Sequence, residues 1–166
     1  GSVNAWERDE GGHLNVRFHL ERAMVGLSHI AHALEMPGAF TASAGATLAP
    51  LEAHIRFLKE ARPPAPLVMH GGVVKLDQSE GTFGLDMRHG DGAPCAVFTV
   101  RAAHVETRGF RPFPWSQRTR AAAKRIMSLP IPTKDPVTGG PLQEWLDTPS
   151  SVDAELNDFR DGLDPV

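Results

Sequence analysis

The 166-residue sequence has a single cysteine and no run of apolar residues long enough to form a membrane-spanning helix. Cys95 alone can form neither an internal disulfide nor a cysteine-based metal site, which favours a reducing, cytoplasmic location. The apolar runs fall short of the ~18 residues that spanning requires, and the first residues lack the pattern of a signal peptide. With 41% hydrophobic and 22% charged residues, the composition is that of a folded globular domain. We therefore expect a cytoplasmic protein that does not bind membranes.

The formal net charge of -3 argues against general nucleic-acid binding. The charge is unevenly distributed along the chain, however. Seven basic residues and only Glu106 as an acid lie between Arg101 and Arg125, whereas eight acidic residues and only Arg160 as a base follow from Asp135 to Val166. We interpret these stretches as the solvated surfaces of a helix and a tail, and we expect no nucleic-acid partner.

One long amphipathic helix is predicted near the N-terminus. Its apolar stripe recurs at alternating spacings of four and three residues, at Leu20, Met24, Leu27, Ala31 and Leu34. Asn15 is a suitable N-cap, because its side chain can accept a hydrogen bond from the first turn. Pro37 disfavours helical geometry at Met36, so the helix is predicted to span about Asn15–Met36.

Strand patterns lie on both sides of this helix. Val3–Asp9 is predicted to be a strand that ends at two glycines. Four further strands are predicted at Glu52–Phe57, Leu67–Leu76, Thr82–Arg88 and Cys95–Val105. Their short, turn-forming connections predict antiparallel neighbours in a meander. Because no helix separates the later strands, the fold class is α+β, with a five-stranded antiparallel sheet wrapped around the long central helix.

The alternating pattern ends after Thr107. A stiff aromatic link is predicted at Arg111–Trp115, and a basic helix capped by Ser116 is predicted over Ser116–Leu129. The remaining residues are rich in Pro, Gly and Asp, which is typical of an extended arm. We therefore divide the chain into a domain of residues 1–107 and a C-terminal extension of residues 108–166, a basic helix and then an acidic arm, that packs on the same domain.

Several well-known catalytic motifs are missing. Neither a P-loop nor a dinucleotide fingerprint is present, which disfavours nucleotide chemistry. Ser43 lacks the first glycine and the strand-to-helix setting of a nucleophile elbow. His29 and His32 are three residues apart, whereas zinc peptidases space two histidines by four with an adjacent glutamate. We therefore expect no metal and no cofactor.

The junction between the predicted first strand and the helix carries the candidate chemistry. Asp9 precedes Gly11 and Gly12, which allow the backbone to bend closely before the helix begins. The first-turn N–H groups of a helix lack internal partners and carry partial positive charge, so they can stabilise an oxyanion on a carbonyl. A carboxylate beside such an oxyanion hole indicates acyl transfer.

This stretch resembles the signature of the hot-dog-fold acyl-CoA thioesterases of the 4-hydroxybenzoyl-CoA thioesterase type. That signature runs acid, any residue, Asp, two residues, Gly, His, a hydrophobic residue, Asn and then an aromatic. The matching positions are Glu7, Asp9, Gly12, His13, Leu14, Asn15 and Phe18. The resemblance spans about Val3–Glu106 and includes the element order. Glu7 stands where the family more often has Asp, and Phe18 stands where many relatives have Tyr.

The resemblance implies hydrolysis of an acyl thioester, carried by CoA or by acyl carrier protein, to a free acid and a thiol. Asp9 is the implied nucleophile or general base, and the resemblance leaves these two roles open. Backbone N–H groups near Asn15 and Val16 are the implied oxyanion hole, and His13 and Asn15 are implied to orient the reacting groups. Relatives of this fold form dimers, so a homodimer or a dimer of dimers with sites at the subunit boundary is also implied.

Substrate binding and alternative functions complete the expectations. Val16 and Phe18 are expected to contact the substrate, and Arg101 and Arg108 are candidates for the phosphates of CoA, because guanidinium groups bind phosphate in a fork. Glu21 is a competing catalytic acid on the helix itself. Three other functions remain open: a sensor that binds acyl-CoA without turnover, a dehydratase of 3-hydroxyacyl thioesters, and a structural interaction module.

Overall fold

The structure is a computed structural model that describes residues 1–41 and 43–127. It contains a short 3₁₀ turn, two α-helices and four β-strands. In chain order these are the 3₁₀ turn Ala5–Glu7, α1 Val16–Ala33, β1 Ala46–Phe57, β2 Leu67–Leu76, β3 Glu80–His89, β4 Pro94–Glu106 and α2 Gln117–Met127.

The four strands form one antiparallel sheet in the order β1-β4-β3-β2. Strands β2, β3 and β4 follow one another through short turns, as the sequence predicts. The meander of all four strands is wrong, however, because β1 lies at the far edge and pairs with β4 rather than with β2. The connection of residues 58–66 is too long for a tight hairpin, and it carries the chain across to the opposite edge.

The predicted fifth strand at Val3–Asp9 is not formed, so the sheet has four strands rather than five. Only the first residues approach the sheet, where Ser2 forms an isolated bridge with Pro66 and the Val3 N–H donates to the Ala65 carbonyl at 2.9 Å. The chain then curls away, because the Glu7 carboxylate accepts a hydrogen bond from the Asn4 N–H at 2.6 Å. This contact closes the 3₁₀ turn where extended backbone was expected.

The prediction of a long central helix wrapped by the sheet is also wrong, whereas the second helix predicted over Ser116–Leu129 is present as α2. Helix α1 has 18 residues and its contacts with the sheet are made chiefly to β2 and β3, while the second helix α2 packs against β2 and α1. Asn15 caps α1 as predicted, accepting a hydrogen bond from the Arg17 N–H at 2.9 Å. The helix ends before Met36 because Glu35 adopts the left-handed region, with φ of 62°.

The two helices and the sheet share one buried core. Its largest fully buried side chains include Phe83 and Phe98 of the sheet and Leu27 of α1, and Trp115 and Ile126 belong to the same core. In α2, the Ser116 hydroxyl accepts a hydrogen bond from the Thr119 N–H at 3.0 Å, so Ser116 caps the helix as expected. Residues after 127, including the predicted arm, lie outside the described residues.

The C-terminal end of α1 is tied to α2 by charge. Glu35 hydrogen-bonds Arg118, and its other oxygen lies 2.9 Å from Arg125. In the part of the chain that the structure covers, neither helix has both the length and the apolar character needed to cross a membrane.

Candidate active site

Asp9 and His13 lie at the two ends of one tight turn. The Asp9 N–H donates to the His13 carbonyl at 2.8 Å, and the His13 N–H donates to Asp9 Oδ1 at 2.9 Å. Between them, Gly12 adopts a φ of 79°, a conformation that glycine reaches without steric cost. The sequence interpretation of two adjacent glycines as a bend is therefore correct for Gly12, and the turn fixes Asp9 and His13 relative to each other.

The Asp9 carboxylate lies on an open depression of about 790 Å³. The side chain is 40% exposed. Among the described residues, no group donates a hydrogen bond to Asp9 Oδ2, so this oxygen is free to react. The depression is lined by Ala5, Trp6, Arg8, Asp9, Glu10, Gly11 and Asn15. The Asp9 carboxylate therefore faces a surface that is wide open in the single chain.

Helix α1 begins beside this depression, and most of its first N–H groups already have partners. The Asn15 N–H donates to the Glu7 carbonyl at 2.9 Å, and the Arg17 N–H donates to the Asn15 side chain at 2.9 Å. The Phe18 N–H donates back to the Asn15 carbonyl at 3.0 Å. Within residues 1–41 and 43–127, the Val16 N–H has no acceptor. Of the first N–H groups of α1, that of Val16 is therefore the one left without an acceptor among the described residues, whereas the Asn15 side chain is occupied as a cap.

His13 also contacts the connection between β1 and β2. Its Nε2 lies 3.0 Å from Glu60 Oε2 and 2.6 Å from an Arg62 nitrogen, and its Nδ1 lies 3.9 Å from Asp9 Oδ1. Sequence reasoning missed Glu60 and Arg62. They lie about fifty positions from the Asp9 turn, and no local pattern links the two segments.

Glu7, the first acidic residue of the motif, is buried and paired with a helix residue rather than facing the hollow at Asp9. It is buried, with 7% of its surface exposed, and its Oε2 lies 2.9 Å from Arg22 Nη2 on α1. Burial raises the pKa of the Glu7 carboxyl, but the hydrogen bonds from Arg22 and Asn4 outweigh it, and the net shift is downward. Arg22 is a third residue that sequence reasoning missed, and it fixes the segment that precedes Asp9.

The other predicted binding residues are distributed over the fold. Phe18 is half-buried against the core. Arg101 lies on β4, where it pairs with Glu52 and Glu80 at 3.3 and 3.1 Å. Arg108 is exposed in the turn after β4, and it forms no ion pair with any described residue. Neither arginine lines the depression at Asp9.

Glu21 lies on a different surface from Asp9. It lines a groove of about 590 Å³ between α1 and β2, whose floor is mostly apolar and includes Ile30, Met69 and Leu85. Arg22, whose guanidinium binds Glu7, also lines this groove. The two candidate acids therefore face separate hollows, and only Asp9 borders the hollow at the start of α1.

The chain is similar in family and fold to known proteins. The family model of the thioesterase-like superfamily matches residues 3–125. A crystal structure of a thioesterase-superfamily protein from Jannaschia sp. CCS1 superposes with a TM-score of 0.70 at 17% identity, covering 78% of this chain and 81% of that one. The DHNA-CoA thioesterase from Staphylococcus aureus gives 0.68 at 12% identity, covering 78% and 89%.

A third similar structure is a thioesterase from Thermus thermophilus complexed with coenzyme A and Zn. It gives a TM-score of 0.64 at 15% identity, covering 78% of this chain and 93% of that one. No curated protein sequence gives a significant match. The similar structures share the hot-dog fold, and the family match covers most of the chain. The protein therefore belongs to the thioesterase-like superfamily.

Proposed function

We propose that the protein hydrolyses an acyl thioester, of CoA or of acyl carrier protein, to a free acid and a thiol. The observation that carries this proposal is the position of Asp9 on the hollow at the start of α1, which Asn15, the N-cap of that helix, also lines. Among the described residues, Asp9 Oδ2 accepts no hydrogen bond and the Val16 N–H has no acceptor. Within the superfamily we assign the chain to the 4-hydroxybenzoyl-CoA thioesterase type, because Asp9, Gly12 and His13 follow that signature.

Two routes use the same carboxylate. As a nucleophile, Asp9 attacks the thioester carbonyl carbon, the carbon–sulfur bond breaks, and water then hydrolyses the resulting mixed anhydride. As a general base, Asp9 accepts a proton from a water molecule that attacks the same carbon. In both routes the carboxylate must be ionised and the carbonyl oxygen gains negative charge.

The developing oxyanion is proposed to bind the Val16 N–H. This group lies at the positive end of the α1 dipole, which adds to its attraction for an anion. The proposed role of Asn15 is to set the position of this first turn through its cap. His13 is proposed to orient Asp9, and no cofactor is required by either route.

We propose that the substrate extends from Val16 towards Phe18 on one side. On the other side it extends towards the predicted phosphate ligands Arg101 and Arg108. Arg108 is the better of the two predicted phosphate ligands, because it is exposed and is not engaged by a described carboxylate. Arg101 would have to exchange Glu52 and Glu80 for phosphate. We also propose a cytoplasmic location, since the one cysteine, Cys95, is buried and unpaired.

A second copy of the chain is proposed to cover the open hollow, forming a homodimer or a dimer of dimers. Large apolar side chains of the 3₁₀ turn, the first two turns of α1 and the end of β1 are exposed, which is unusual for a surface without a partner. They are Trp6 at 74%, Val16 at 56%, Leu20 at 42% and Phe57 at 53%. The edge of β1 away from β4 has no strand partner among the described residues, so it offers a further pairing surface.

A panel of acyl-CoA substrates, with released thiol detected by a colorimetric reagent, tests the function. We expect hydrolysis by the wild type, loss of hydrolysis with retained acyl-CoA binding in Asp9→Asn, and retained hydrolysis in Glu21→Gln. If every substrate is inert while acyl-CoA raises the melting temperature, hydrolysis is excluded and the sensor function takes its place. If Glu21→Gln is inactive and Asp9→Asn is not, the catalytic acid lies on α1.

A further inference from the structure

The connection between β1 and β2, residues 58–66, is anchored against the Asp9 turn. The Leu14 N–H donates to the Ala61 carbonyl at 2.7 Å, and the Ala61 side chain is 1% exposed. Glu60 and Arg62 flank this anchored residue, and both of their side chains reach His13. The anchor at Ala61 therefore presents Glu60 and Arg62 together to His13.

These three side chains form a closed triangle. One Arg62 nitrogen, Nη2, lies 2.6 Å from His13 Nε2 and 3.2 Å from Glu60 Oε2, and the remaining side, from His13 Nε2 to Glu60 Oε2, is 3.0 Å. A guanidinium group only donates hydrogen bonds and keeps its proton at all relevant pH values. His13 Nε2 must therefore accept the hydrogen bond from Arg62, and the proton of the neutral ring is on Nδ1.

The alternative protonation states fit the triangle less well. A proton on Nε2 would point at Glu60, but it would also meet the Arg62 N–H 2.6 Å away. A doubly protonated ring would place two positively charged groups, the imidazolium of His13 and the guanidinium of Arg62, 2.6 Å apart. Glu60 is satisfied without a His13 proton, because Arg62 donates to it directly.

The other ring nitrogen faces Asp9. Nδ1 lies 3.9 Å from Asp9 Oδ1, which is longer than a hydrogen bond but within one small movement of the carboxylate. Catalytic hydrogen bonds are often this loose before substrate binds. A proton on Nδ1 is thus directed at the one carboxylate that the proposed reaction uses.

We propose that Arg62 is a positioning residue that holds His13 as the neutral Nδ1–H tautomer, so that its N–H is presented to the Asp9 carboxylate. The effect on turnover rests on the proposed thioesterase function, whereas the tautomer itself does not. In this arrangement the Nδ1–H group of the neutral His13 ring donates to the Asp9 carboxylate and orients it. Asp9 Oδ2 stays directed at the substrate. Glu60 keeps Arg62 in place and compensates its charge.

The experiment is ¹⁵N NMR of the His13 imidazole in the full chain, assigned with a His13→Asn variant, in wild type, Arg62→Gln and Arg62→Lys. In the wild type at pH 8 we expect the ¹⁵N chemical shift of Nε2 to be that of an unprotonated ring nitrogen that accepts a hydrogen bond. We expect the shift of Nδ1 to be that of a protonated ring nitrogen. Arg62→Gln should move the ring towards the Nε2–H tautomer, which can donate to Glu60, and Arg62→Lys should retain most of the wild-type pattern. Arg111→Gln, at an exposed pair with Glu106, is the matched control.

Turnover of a thioester substrate by the same variants gives the second readout. We expect kcat of Arg62→Gln to fall roughly ten- to a hundredfold, with a much smaller change in KM, because a small displacement of a reacting group has such an effect. Wild-type shifts that place the proton on Nε2, or an unchanged tautomer in Arg62→Gln, would overturn the proposal. A wild type with the Nδ1–H tautomer but no hydrolysis of any thioester would contradict the proposed function alone.

Discussion

Arg22 of α1 binds the Glu7 carboxylate with its Nη2 2.9 Å from Oε2, and the same nitrogen donates to the Ser2 carbonyl at 3.0 Å. The other terminal nitrogen, Nη1, lies 3.3 Å from the Phe18 carbonyl. One guanidinium therefore links the N-terminal residues, the 3₁₀ turn and the helix. Because the segment that follows Glu7 carries Asp9, this link helps determine where the Asp9 carboxylate lies.

Replacing Arg22 by Met should lower the free energy of unfolding by about 1.5–3 kcal/mol, since a charged hydrogen bond is lost and Glu7 stays buried with only the Asn4 N–H. Chemical denaturation at pH 7 measures this change. The matched control is Glu21→Gln, an exposed neighbour on α1, which should stay within about 0.5 kcal/mol of wild type. Equal stability of Arg22→Met and wild type would contradict the role of the pair.

The stability that the pair contributes should depend on pH. The folded-state pKa of Glu7 lies below its ordinary value of 4.5, so its contribution is fully present above about pH 4.5 and is lost as the pH falls through the folded-state pKa. Wild type should therefore lose more stability than Glu7→Gln when the pH is lowered from 6 to 3. Melting temperatures over this range measure it. Parallel losses in the two proteins would exclude an ion pair as the cause.

Local sequence patterns correctly predicted those features of the fold that depend only on neighbouring residues. The limits of β2 follow from the run Leu67–Leu76, and the N-cap at Asn15 follows from its side-chain chemistry. The predicted first strand is absent for two reasons, one local and one long-range. The Asn4 N–H donates to the Glu7 carboxylate three positions away, which closes the turn, and Arg22, fifteen positions away, binds the same carboxylate. The position of β1 at the far edge also depends on long-range pairing with β4.

The candidate site divides in the same way. Asp9, Gly12 and His13 are neighbours in sequence, and the motif that joins them predicts one turn, which is what the structure contains. Glu60 and Arg62 come to His13 only because the Ala61 carbonyl pairs with the Leu14 N–H. Such a contact between distant segments has no signature in a single sequence. The oxyanion hole near Asn15 and Val16 stays a prediction, and among the described residues the Asn15 N–H donates to the Glu7 carbonyl whereas the Val16 N–H has no acceptor.

His104 should make the protein sensitive to mild acid. Its Nδ1 donates to the Phe113 carbonyl at 2.9 Å, and its ring stacks on Trp115 with centroids 4.6 Å apart. Burial lowers the pKa of His104 below 6.5, against the smaller opposing effect of this hydrogen bond. The stability that neutral His104 contributes is therefore present above about pH 6.5 and is lost as the pH falls through its lower, folded-state pKa.

A His104→Phe variant tests this. It keeps an aromatic ring beside Trp115 but leaves the Phe113 carbonyl without its donor, so we expect about 1 kcal/mol less stability at pH 8. Between pH 8 and 5.5 the variant should lose less stability than wild type, as followed by thermal denaturation. His29→Asn, at an exposed position on α1, should behave like wild type. A variant curve parallel to wild type would assign the pH dependence elsewhere, for example to buried His19.

Replacing Gly12 by Ala should lower stability, whereas replacing Gly11 by Ala should lower turnover. At Gly12 an added Cβ meets no atom within 4 Å, but the φ of 79° is strained for alanine. Gly12→Ala should therefore lose roughly 1–2 kcal/mol of stability. At Gly11 a Cβ would lie 3.0 Å from His13 Nδ1 and 3.3 Å from Asp9 Oδ1. Gly11→Ala should therefore stay nearly as stable as wild type and lose turnover, because the methyl group separates Asp9 from His13. Paired melting and kcat measurements decide this, and a fully active Gly11→Ala would mean that the Asp9–His13 approach is not used.

The exposed apolar surface beside Asp9 predicts a self-association that is needed for activity. Val16 and Leu20 are one helical turn apart on α1, and Phe57 meets the neighbouring His19 ring edge-on at 5.0 Å, so these side chains form one continuous face. Leu20→Glu should weaken association by at least tenfold in Kd, because burying one leucine contributes about 1.5–3 kcal/mol.

Light scattering coupled to gel filtration measures the oligomer, and thiol release measures activity. Val25→Glu, equally exposed but turned towards the groove between α1 and β2, is the control and should remain associated. A monomeric Leu20→Glu that retains full activity would show that one chain forms the whole site.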